Sequence, residues 1–359
     1  MKSSCLAGIL AGVASIILFT APLFGAVDPN PQRSSVAMLP QDSLKQIVVD
    51  PGLKVELVAS EPNIMSPVAV RFDEDGRMWV AEMCDYPTGP TKKFPQRSRI
   101  SILTDKDGDG FFETMKMVNG KLLLADYHFE RLFASLRLMQ FQHPDYFTPA
   151  YLLEHLTILA KKNYHHKLAR IRINVFRGDG GLYDVENHFP HHLIQTLAIK
   201  PEANVFNENG LVMGVYKDAR KVCDEYSHIK SNNYLSYAMA ALWVKEKKLN
   251  DVLLLNPYDR VADATVANVF IVKDGVVKTP SLSEGPVNGV MRRHLLKCLR
   301  TEGIPVEETQ LKVDDVLQAS EIFLTNAIHG IKWVKQLEQS RYTNQLSSLL
   351  YKKVIEPLL

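Results

Sequence analysis

A lysine and an aspartate stand out among the residues whose types and settings could do chemistry. Lys230 lies in the polar segment 227–234 (Ser-His-Ile-Lys-Ser-Asn-Asn-Tyr), directly before a predicted helix. A partly desolvated lysine near cationic or dipolar groups loses its proton more easily, and the free amine can act as a nucleophile. Asp263 follows thirty-three positions later and offers a carboxylate that could pair with a positive charge. Without further context, Lys230 would be interpreted as a surface lysine and Asp263 as a turn aspartate. The surrounding sequence decides between these roles and a role in chemistry.

Mixed strands and helices must position these two residues. Alternating apolar residues predict strands, and apolar residues at helical spacing predict helices. The predicted strands are 112–118 and 121–124, joined by a turn at Asn119-Gly120, and then 169–177, 193–199, 251–256, 268–273, 276–279 and 321–326. The predicted helices are 128–139, 149–162, 233–247 and 291–302. Strands and helices in this order predict an α+β or α/β fold, and no internal repeat is present.

Several short strings between about 108 and about 337 form one pattern. It begins at Gly-Asp-Gly-Phe-Phe-Glu-Thr (108–114), includes the lysine segment 227–234, and continues through Asn268, Phe270, Val-Lys-Thr (277–279) and Val-Asn-Gly-Val-Met-Arg (287–292). With these strings the chain resembles the class IV aminotransferases, a family that includes branched-chain and D-amino-acid aminotransferases and aminodeoxychorismate lyase. The resemblance implies a two-domain fold that binds pyridoxal 5'-phosphate and works as a homodimer.

This resemblance assigns roles to both ends of the cofactor's ring. It implies that Lys230 is the Schiff-base lysine and that Asp263 pairs with the protonated ring nitrogen, where the family usually has glutamate. Aspartate keeps the charge but is one methylene shorter, so it must approach the ring more closely. Arg172, in the predicted strand 169–177, could bind a substrate carboxylate, although on an alternating strand it or Arg170 would ordinarily face solvent. Tyr234 lies near where branched-chain members place a tyrosine against the ring oxygen, one residue closer to the lysine.

Four residues are implied as ligands of the cofactor's phosphate. The backbone amides of Gly289 and Val290 would meet it at a helix start, where N–H groups are free and the helix dipole is positive. Glycine lets the backbone come close. Arg131, in Tyr-His-Phe-Glu-Arg-Leu (127–132), matches the family's phosphate arginine and can clamp the group with two hydrogen bonds. Thr325, in Phe-Leu-Thr-Asn-Ala (323–327), matches its phosphate threonine.

The implied reaction is a transamination between an amino acid, of branched-chain or D-amino-acid type, and a 2-oxo acid. Lys230 would move the Cα proton as a general base while the ring takes up the electron pair. The nearest alternative is aminodeoxychorismate lyase, which uses the same lysine and cofactor but eliminates pyruvate, and the segment 325–330 does not separate the two. Alternatives of another class are a non-catalytic exported protein and an inactive fusion.

Residues 51–110 have a different pattern. It consists of Leu-Lys-Val-Glu-Leu-Val-Ala (53–59), Phe-Asp-Glu-Asp-Gly-Arg (72–77) and Asp-Lys-Asp-Gly-Asp-Gly (105–110), with strands predicted at 53–59, 67–72, 78–82 and 99–103. These strings resemble the start of secreted planctomycete-type β-propeller membrane-bound dehydrogenases. A propeller closes only with several blades, and no further blades follow. The chain is therefore predicted to be a fusion whose aminotransferase small domain lacks its usual first strand.

The predicted layout has five segments: a signal peptide or anchor (1–26), a linker (27–50), the propeller-like fragment (51–109), the small domain (110–200) and the large cofactor-binding domain (210–359). The first segment has a basic start, an apolar run and a small-residue end, which is typical of export. The enzyme region suits the cytoplasm, so the sequence leaves the compartment open. Membrane contact is expected only through the first segment.

Composition excludes several other classes of protein. An apolar fraction of 46 %, a charged fraction of 23 % and a net charge of +2 are ordinary for a globular protein and do not indicate nucleic-acid binding. The four cysteines lack CxxC spacing, which argues against a zinc site or a disulfide framework. The histidine pairs at 165–166 and 191–192 are predicted to lie at the surface and have no metal-ligand spacing. The run 105–110 is like the head of an EF-hand loop, but its twelfth position is Lys116 rather than glutamate.

Overall fold

The computed structural model describes residues 110–177 and 188–359, together with the backbone of three strands at 67–72, 78–82 and 99–103. The chain divides into two compact units, 1–104 and 105–359. The predicted signal segment, the linker, the strand 53–59 and the loop 105–109 lie outside the described residues. Among the described residues, no helix is long and apolar enough to cross a membrane.

The first unit contains a three-stranded antiparallel sheet of β1 (Pro67–Phe72), β2 (Met78–Glu82) and β3 (Arg99–Leu103). These bounds are the ones that the alternating pattern predicts. A short sheet of this kind occurs in many β-structures, so it does not identify a propeller.

The second unit begins with a four-stranded antiparallel sheet in the order β5-β4-β6-β7. Its strands are β4 (Phe111–Val118), β5 (Lys121–Leu122), β6 (Leu168–Arg177) and β7 (Pro190–Ala198). The β4–β5 turn puts Asn119 and Gly120 at φ 49° and 79°, a conformation that Asn-Gly favours. Two helices, α1 (Ala125–Leu138) and α2 (Pro149–Lys162), share a buried apolar core with this sheet.

The second sheet has nine strands: β8 (Leu211–Arg220), β9 (Asp251–Leu255), β10 (Val261–Ala264), β11 (Asn268–Lys273), β12 (Val276–Pro280), β13 (Val306–Thr309), β14 (Glu321–Asn326), β15 (Gly330–Leu337) and β16 (Ser340–Arg341). The order is β10-β9-β8-β15-β14-β11-β12-β13, and β16 pairs with β15. The two end strands approach each other, because Val261 N donates to Leu311 O at 2.8 Å and Arg260 bridges to Lys312. The sheet therefore curls around an apolar interior that includes Val269, Ile322 and Val334.

Helices pack against this curled sheet. They are α3 (Leu235–Lys247), α4 (Val290–Thr301), α5 (Val313–Leu317) and α6 (Gln345–Leu350), the last continued by a π-helical turn at Tyr351–Ile355. The apolar face of α4 meets Phe270 and Phe323, whose rings stack 5.2 Å apart. The observed elements confirm the predicted α+β class.

The prediction that the histidine pairs lie at the surface is wrong for His192. Its ring centroid lies 5.3 Å from that of Phe147, and burial lowers the pKa of His192 to about 4. His165 and His166 are partly buried, and the ring of His191 stacks on Phe176. Among the described residues, no group of His, Cys, Asp and Glu could hold a metal ion.

Candidate active site

Lys230 lies in the segment between β8 and α3, which runs along the start of β4. Phe112 N donates to Lys230 O at 2.9 Å, and Asn232 N donates to Gly110 O at 2.7 Å. The Lys230 Nζ atom lies 4.4 Å from the centroid of the Phe112 ring. These contacts fix the lysine at the boundary between the two sheets of the second unit.

The surroundings of Lys230 favour its neutral amine. Burial, and then the positive charge of Arg131, lower the pKa of Lys230 to about 8, while Glu113 and Asp263 oppose the shift. Arg172 adds to the lowering. A sizeable fraction of the amine is therefore uncharged close to neutral pH, and the uncharged amine is the nucleophile and the base.

Asp263 lies on β10 with its side chain buried. Its Oδ2 atom accepts hydrogen bonds from Val287 N at 2.8 Å and Tyr237 Oη at 2.9 Å, and Lys221 Nζ lies 3.4 Å away. Its Oδ1 atom accepts from Asn268 Nδ2 at 2.8 Å. Burial raises the pKa of Asp263, and these four donors oppose the rise. The site thus holds a buried carboxylate on a fixed set of donors.

The start of α4 lies beside this carboxylate. Gly289 precedes the first residue of α4, and no side chain in the described part of the chain caps the helix. A Cβ atom at Gly289 would lie 1.9 Å from Asn268 Oδ1, so the close approach of the two segments requires glycine here. Asn268 Nδ2 also donates to Val287 O at 2.7 Å. The first N–H groups of α4, including that of Val290, have no carbonyl partner within the helix and suit an anion.

Arg131 and Thr325 lie at the same helix start. Arg131 Nη1 donates to Asn288 O at 3.0 Å, one residue before Gly289. Thr325 on β14 pairs in register with Asn268 on β11, and Asn268 is the residue against which Gly289 packs. The Thr325 Oγ1 atom is buried and has no hydrogen-bond partner among the described residues. An unsatisfied buried hydroxyl costs about 1–3 kcal/mol, so the position fits a ligand oxygen.

Glu113 and His128 belong to the site although the sequence analysis did not single them out. Glu113 accepts two hydrogen bonds from Arg131, from Nε and Nη2, both at 2.7 Å, and one from His128 Nδ1 at 2.6 Å. Burial raises the pKa of Glu113, but Arg131 and His128 outweigh it and lower that pKa to about 2. Both residues lie in the quoted strings 108–114 and 127–132, but only the packing of α1 on β4 pairs them.

Arg172 and Tyr234 approach Lys230 from the side of the smaller sheet. Arg172 Cζ lies 4.0 Å from the centroid of the Phe112 ring, the ring that Lys230 also contacts, and Arg172 Nε donates to Asn174 Oδ1 at 2.9 Å. The Tyr234 phenol pairs with Arg172, and its ring meets Phe112 edge-on at 6.2 Å. Arg172 is half-buried on the side of Lys230. Of Arg170 and Arg172, Arg170 is therefore the one that faces solvent.

Two family models match parts of this chain. A family model described as amino-transferase class IV matches residues 110–337. The chain belongs to the class IV aminotransferase family. A second model, of a domain of unknown function (DUF7133), matches residues 39–126 and overlaps the first by seventeen residues, 110–126.

Relatives in the class IV family carry more than one activity. An aminodeoxychorismate lyase of Vibrio harveyi is 31 % identical over 62 % of this chain and 81 % of its own length. A D-alanine aminotransferase of Listeria monocytogenes is 28 % identical over 61 % of this chain and 75 % of its own length. A solved branched-chain aminotransferase from Thermoproteus uzoniensis superposes with a TM-score of 0.63 at 19 % identity, covering 72 % of this chain and 92 % of that structure. At this sequence identity, the structural likeness shows only that the two proteins share a fold.

Proposed function

We propose that this chain is a pyridoxal-phosphate-dependent amino-acid aminotransferase, which transfers an amino group between a branched-chain or D-amino acid and a 2-oxo acid. One observation carries the proposal: a buried amine of lowered pKa, Lys230, and a buried carboxylate, Asp263, interact in one site beside the start of α4. An amine, a carboxylate and an anion-binding helix start are the three groups that the cofactor needs from a protein.

The residues present fit the cofactor's phosphate. The Val290 N–H group, the buried Thr325 hydroxyl, which has no partner among the described residues, and the Arg131 guanidinium would hold it. The Gly289 N–H group donates to Val287 O at 2.8 Å and would have to leave that carbonyl to join them. The Glu113 carboxylate fixes Arg131 in place through two hydrogen bonds, so the arginine needs little reordering when an anion arrives. Asp263 would meet the ring nitrogen, and Lys230 would bind the aldehyde carbon.

Bound pyridoxal phosphate supplies a protonated ring that accepts an electron pair. The residues of this chain do the rest. Lys230 Nζ would be the general base that takes up and returns the Cα proton of the amino donor. Asp263 would favour the protonated form of the ring nitrogen by its negative charge. Arg172, whose Cζ atom lies 4.0 Å from the centroid of the Phe112 ring, would offer a cation for the substrate carboxylate.

The function is tested by cofactor capture on the purified full chain. We expect an absorbance band when pyridoxal phosphate is added, and borohydride should then fix the cofactor on the peptide that contains Lys230. Production of 2-oxo acid from branched-chain L-amino acids and from D-amino acids, in the presence of a 2-oxo acid acceptor, then identifies the donor. A soluble, folded protein that captures no cofactor would refute the proposal.

Aminodeoxychorismate lyase is the second candidate, because lyases of Vibrio harveyi and Bacillus subtilis match at 31 % and 28 % identity. The proposed lysine and cofactor serve both reactions, so the two are distinguished by whether a 2-oxo acid acceptor is required. A lyase releases pyruvate from aminodeoxychorismate without a 2-oxo acid, whereas a transaminase needs one to turn over repeatedly. Assays of both reactions on the same preparation decide between the two.

Replacing Arg172 with glutamine is expected to raise KM for the amino donor about tenfold to a hundredfold while kcat changes less, because a charged hydrogen-bond donor for the substrate carboxylate is lost. Steady-state kinetics with varied donor measure this change. Arg170→Gln is the matched control, since Arg170 is exposed on the same strand and should leave both constants unchanged. Equal effects of the two variants would show that Arg172 does not bind the substrate carboxylate.

We also propose that the chain forms a homodimer through α3. Leu235, Met239 and Leu242 recur at helical spacing along α3 and are 69 %, 45 % and 60 % exposed. Tyr237, Ala240, Trp243 and Val244 of α3 pack against the sheet, whereas the described part of the chain leaves this stripe uncovered. Such an uncovered stripe is typical of a protein interface.

Replacing Leu242 with glutamate is therefore expected to convert a dimer into a monomer, because a charge on the stripe would have to be desolvated in the interface. Light scattering after size-exclusion chromatography measures the mass. Ile158→Glu is the control, since Ile158 is a comparably exposed apolar residue on α2. A monomeric wild-type chain, or loss of the dimer in both variants, would contradict this interface.

For the N-terminal region we propose a fused, propeller-like fragment behind an export signal or anchor. The support is the basic and apolar start at 1–26, the quoted strings in 51–110 and the overlap of two family matches over 110–126. Cofactor uptake by the full chain and by a chain that begins at residue 108 tests whether the fragment helps or hinders the enzyme, and uptake by neither would favour an inactive fusion.

A further inference from the structure

The two oxygen atoms of Asp263 have unequal surroundings. Oδ2 faces three donors: Val287 N, Tyr237 Oη and Lys221 Nζ. Oδ1 faces one donor among the described residues, Asn268 Nδ2. A carboxylate oxygen has about two lone-pair sites, so Oδ2 is filled and Oδ1 has room for one more donor.

Tyr237 reaches this carboxylate from the first turn of α3, a different element from the strand that carries Asp263. Its Oη–Oδ2 distance of 2.9 Å is that of a normal hydrogen bond. Burial, and then the charge of Asp263, raise the pKa of the Tyr237 phenol well above its ordinary value, so the phenol remains a donor through the neutral range. The contact therefore ties α3 to the carboxylate without adding a charge.

Lys221 supplies the charge on the same side. Its Nζ atom donates to Ser227 O at 3.0 Å and to Gly285 O, and it lies 5.4 Å from the centroid of the Tyr237 ring. Backbone carbonyls thus fix the ammonium, and the Tyr237 ring packs against it. Lys221 and Tyr237 together hold one oxygen of Asp263, and the other accepts a hydrogen bond only from Asn268 Nδ2 among the described residues.

We propose that Tyr237 is a positioning residue that holds Asp263 Oδ2, so that Oδ1 meets the protonated ring nitrogen of the cofactor. This inference rests on the proposed function. A side chain held at Oδ2 and at Asn268 keeps Oδ1 in one place, which an aspartate needs because it is one methylene shorter than the usual glutamate. A carboxylate free to rotate would lose that precision.

The test compares Tyr237→Phe with Tyr216→Phe in the full chain. Tyr216 is a buried tyrosine at the same contact between α3 and the sheet, where its ring meets Trp243, and no hydrogen bond joins it to Asp263 among the described residues. Pyridoxal phosphate is titrated into each protein by absorbance from acid to neutral pH, and thermal unfolding of the cofactor-free proteins is recorded. Tyr237→Phe is expected to weaken cofactor binding about tenfold, the usual result of losing a hydrogen bond to a charged group.

The pH profile separates positioning from simple packing. The charged or titratable groups near Asp263 are Lys221 beyond β8, Lys230 before α3, Tyr237 on α3 and Asp251 on β9. Loss of the phenol donor should raise the pKa of the Asp263 carboxyl, so that cofactor affinity falls at a pH about one unit higher than in the wild type. Tyr216→Phe should keep the wild-type profile.

Each outcome is decisive. If the wild type takes up no cofactor onto Lys230, both the proposed function and this inference fall. If the wild type binds but Tyr237→Phe keeps the affinity and the acid profile of Tyr216→Phe, the function stands and the inference fails. If Tyr237→Phe only unfolds at a lower temperature with an unchanged profile, the residue is structural and the inference fails as well.

Discussion

Replacing Lys230 with alanine is expected to lower the turnover number by about 10⁴-fold or more, because one substitution removes both the nucleophile and the general base. Cofactor should still bind without a covalent bond, since Asp263, Gly289 and Arg131 remain. Single-turnover kinetics and borohydride trapping measure the two effects separately. Lys230→Arg should be as inactive as the alanine variant, because a guanidinium keeps its proton in proteins.

Stability of the cofactor-free protein is the control for that loss. Burial lowers the pKa of Lys230 to about 8, so the unfolded chain holds this proton more tightly than the folded chain does. The lysine therefore destabilises the fold below pH 8, and this cost is relieved as pH rises from about 8 towards the ordinary range of lysine. At pH 7 the alanine variant should unfold at no lower temperature than the wild type. A large drop in Tm would show that the lost activity reflects unfolding.

The same pKa governs how fast the wild type captures pyridoxal phosphate. Only the neutral amine attacks the aldehyde, so the rate of capture should rise about tenfold per pH unit below pH 8 and level off above it. Stopped-flow absorbance measures the rate. A rate that keeps rising to the ordinary pKa of lysine would show that the Lys230 amine is solvated rather than buried.

Local pattern was enough to predict most of the elements near the site. Alternation and helical spacing placed β11 and β14 at their observed bounds and α2 at 149–162. The same reasoning did not predict β8, β10, β13 or β15. β10 and β13 have four residues each, too few for a period to show, and β8 carries Gly214 in its interior. The insertion of β15 between β8 and β14 depends on tertiary pairing that no local pattern contains.

The residues of the site also divide into those that the sequence predicts and those that it does not. Lys230 and Asp263 were recognisable because each lies in a string that resembles the family. Glu113, Lys221 and Tyr237 were not, because their roles depend on side chains that meet across elements distant in sequence: Lys221 and Asp263 are forty-two positions apart. A buried charge needs a partner, but the sequence alone does not say which one.

Replacing Asp263 with asparagine is expected to lower kcat by about 10²–10³-fold, the range for loss of one fixed electrostatic group in an active site. The amide has the shape of the carboxylate but not its charge, so it cannot hold the ring nitrogen in its protonated form. Lys221 would then lose its countercharge, and burial would lower the pKa of Lys221 further than in the wild type. The measurements are kcat and the pH dependence of the bound cofactor's absorbance.

Asp263→Glu is the matched variant, because it restores the negative charge and changes only the reach. We expect it to recover most of kcat, with a loss set by how well the longer side chain fits among Val287 N, Tyr237 Oη and Asn268 Nδ2, which are spaced for aspartate. If charge is what the site requires, the glutamate variant must exceed the asparagine variant. Equal and nearly wild-type values for both would mean that Asp263 only secures β10 to the start of α4, and that the ring nitrogen meets another group.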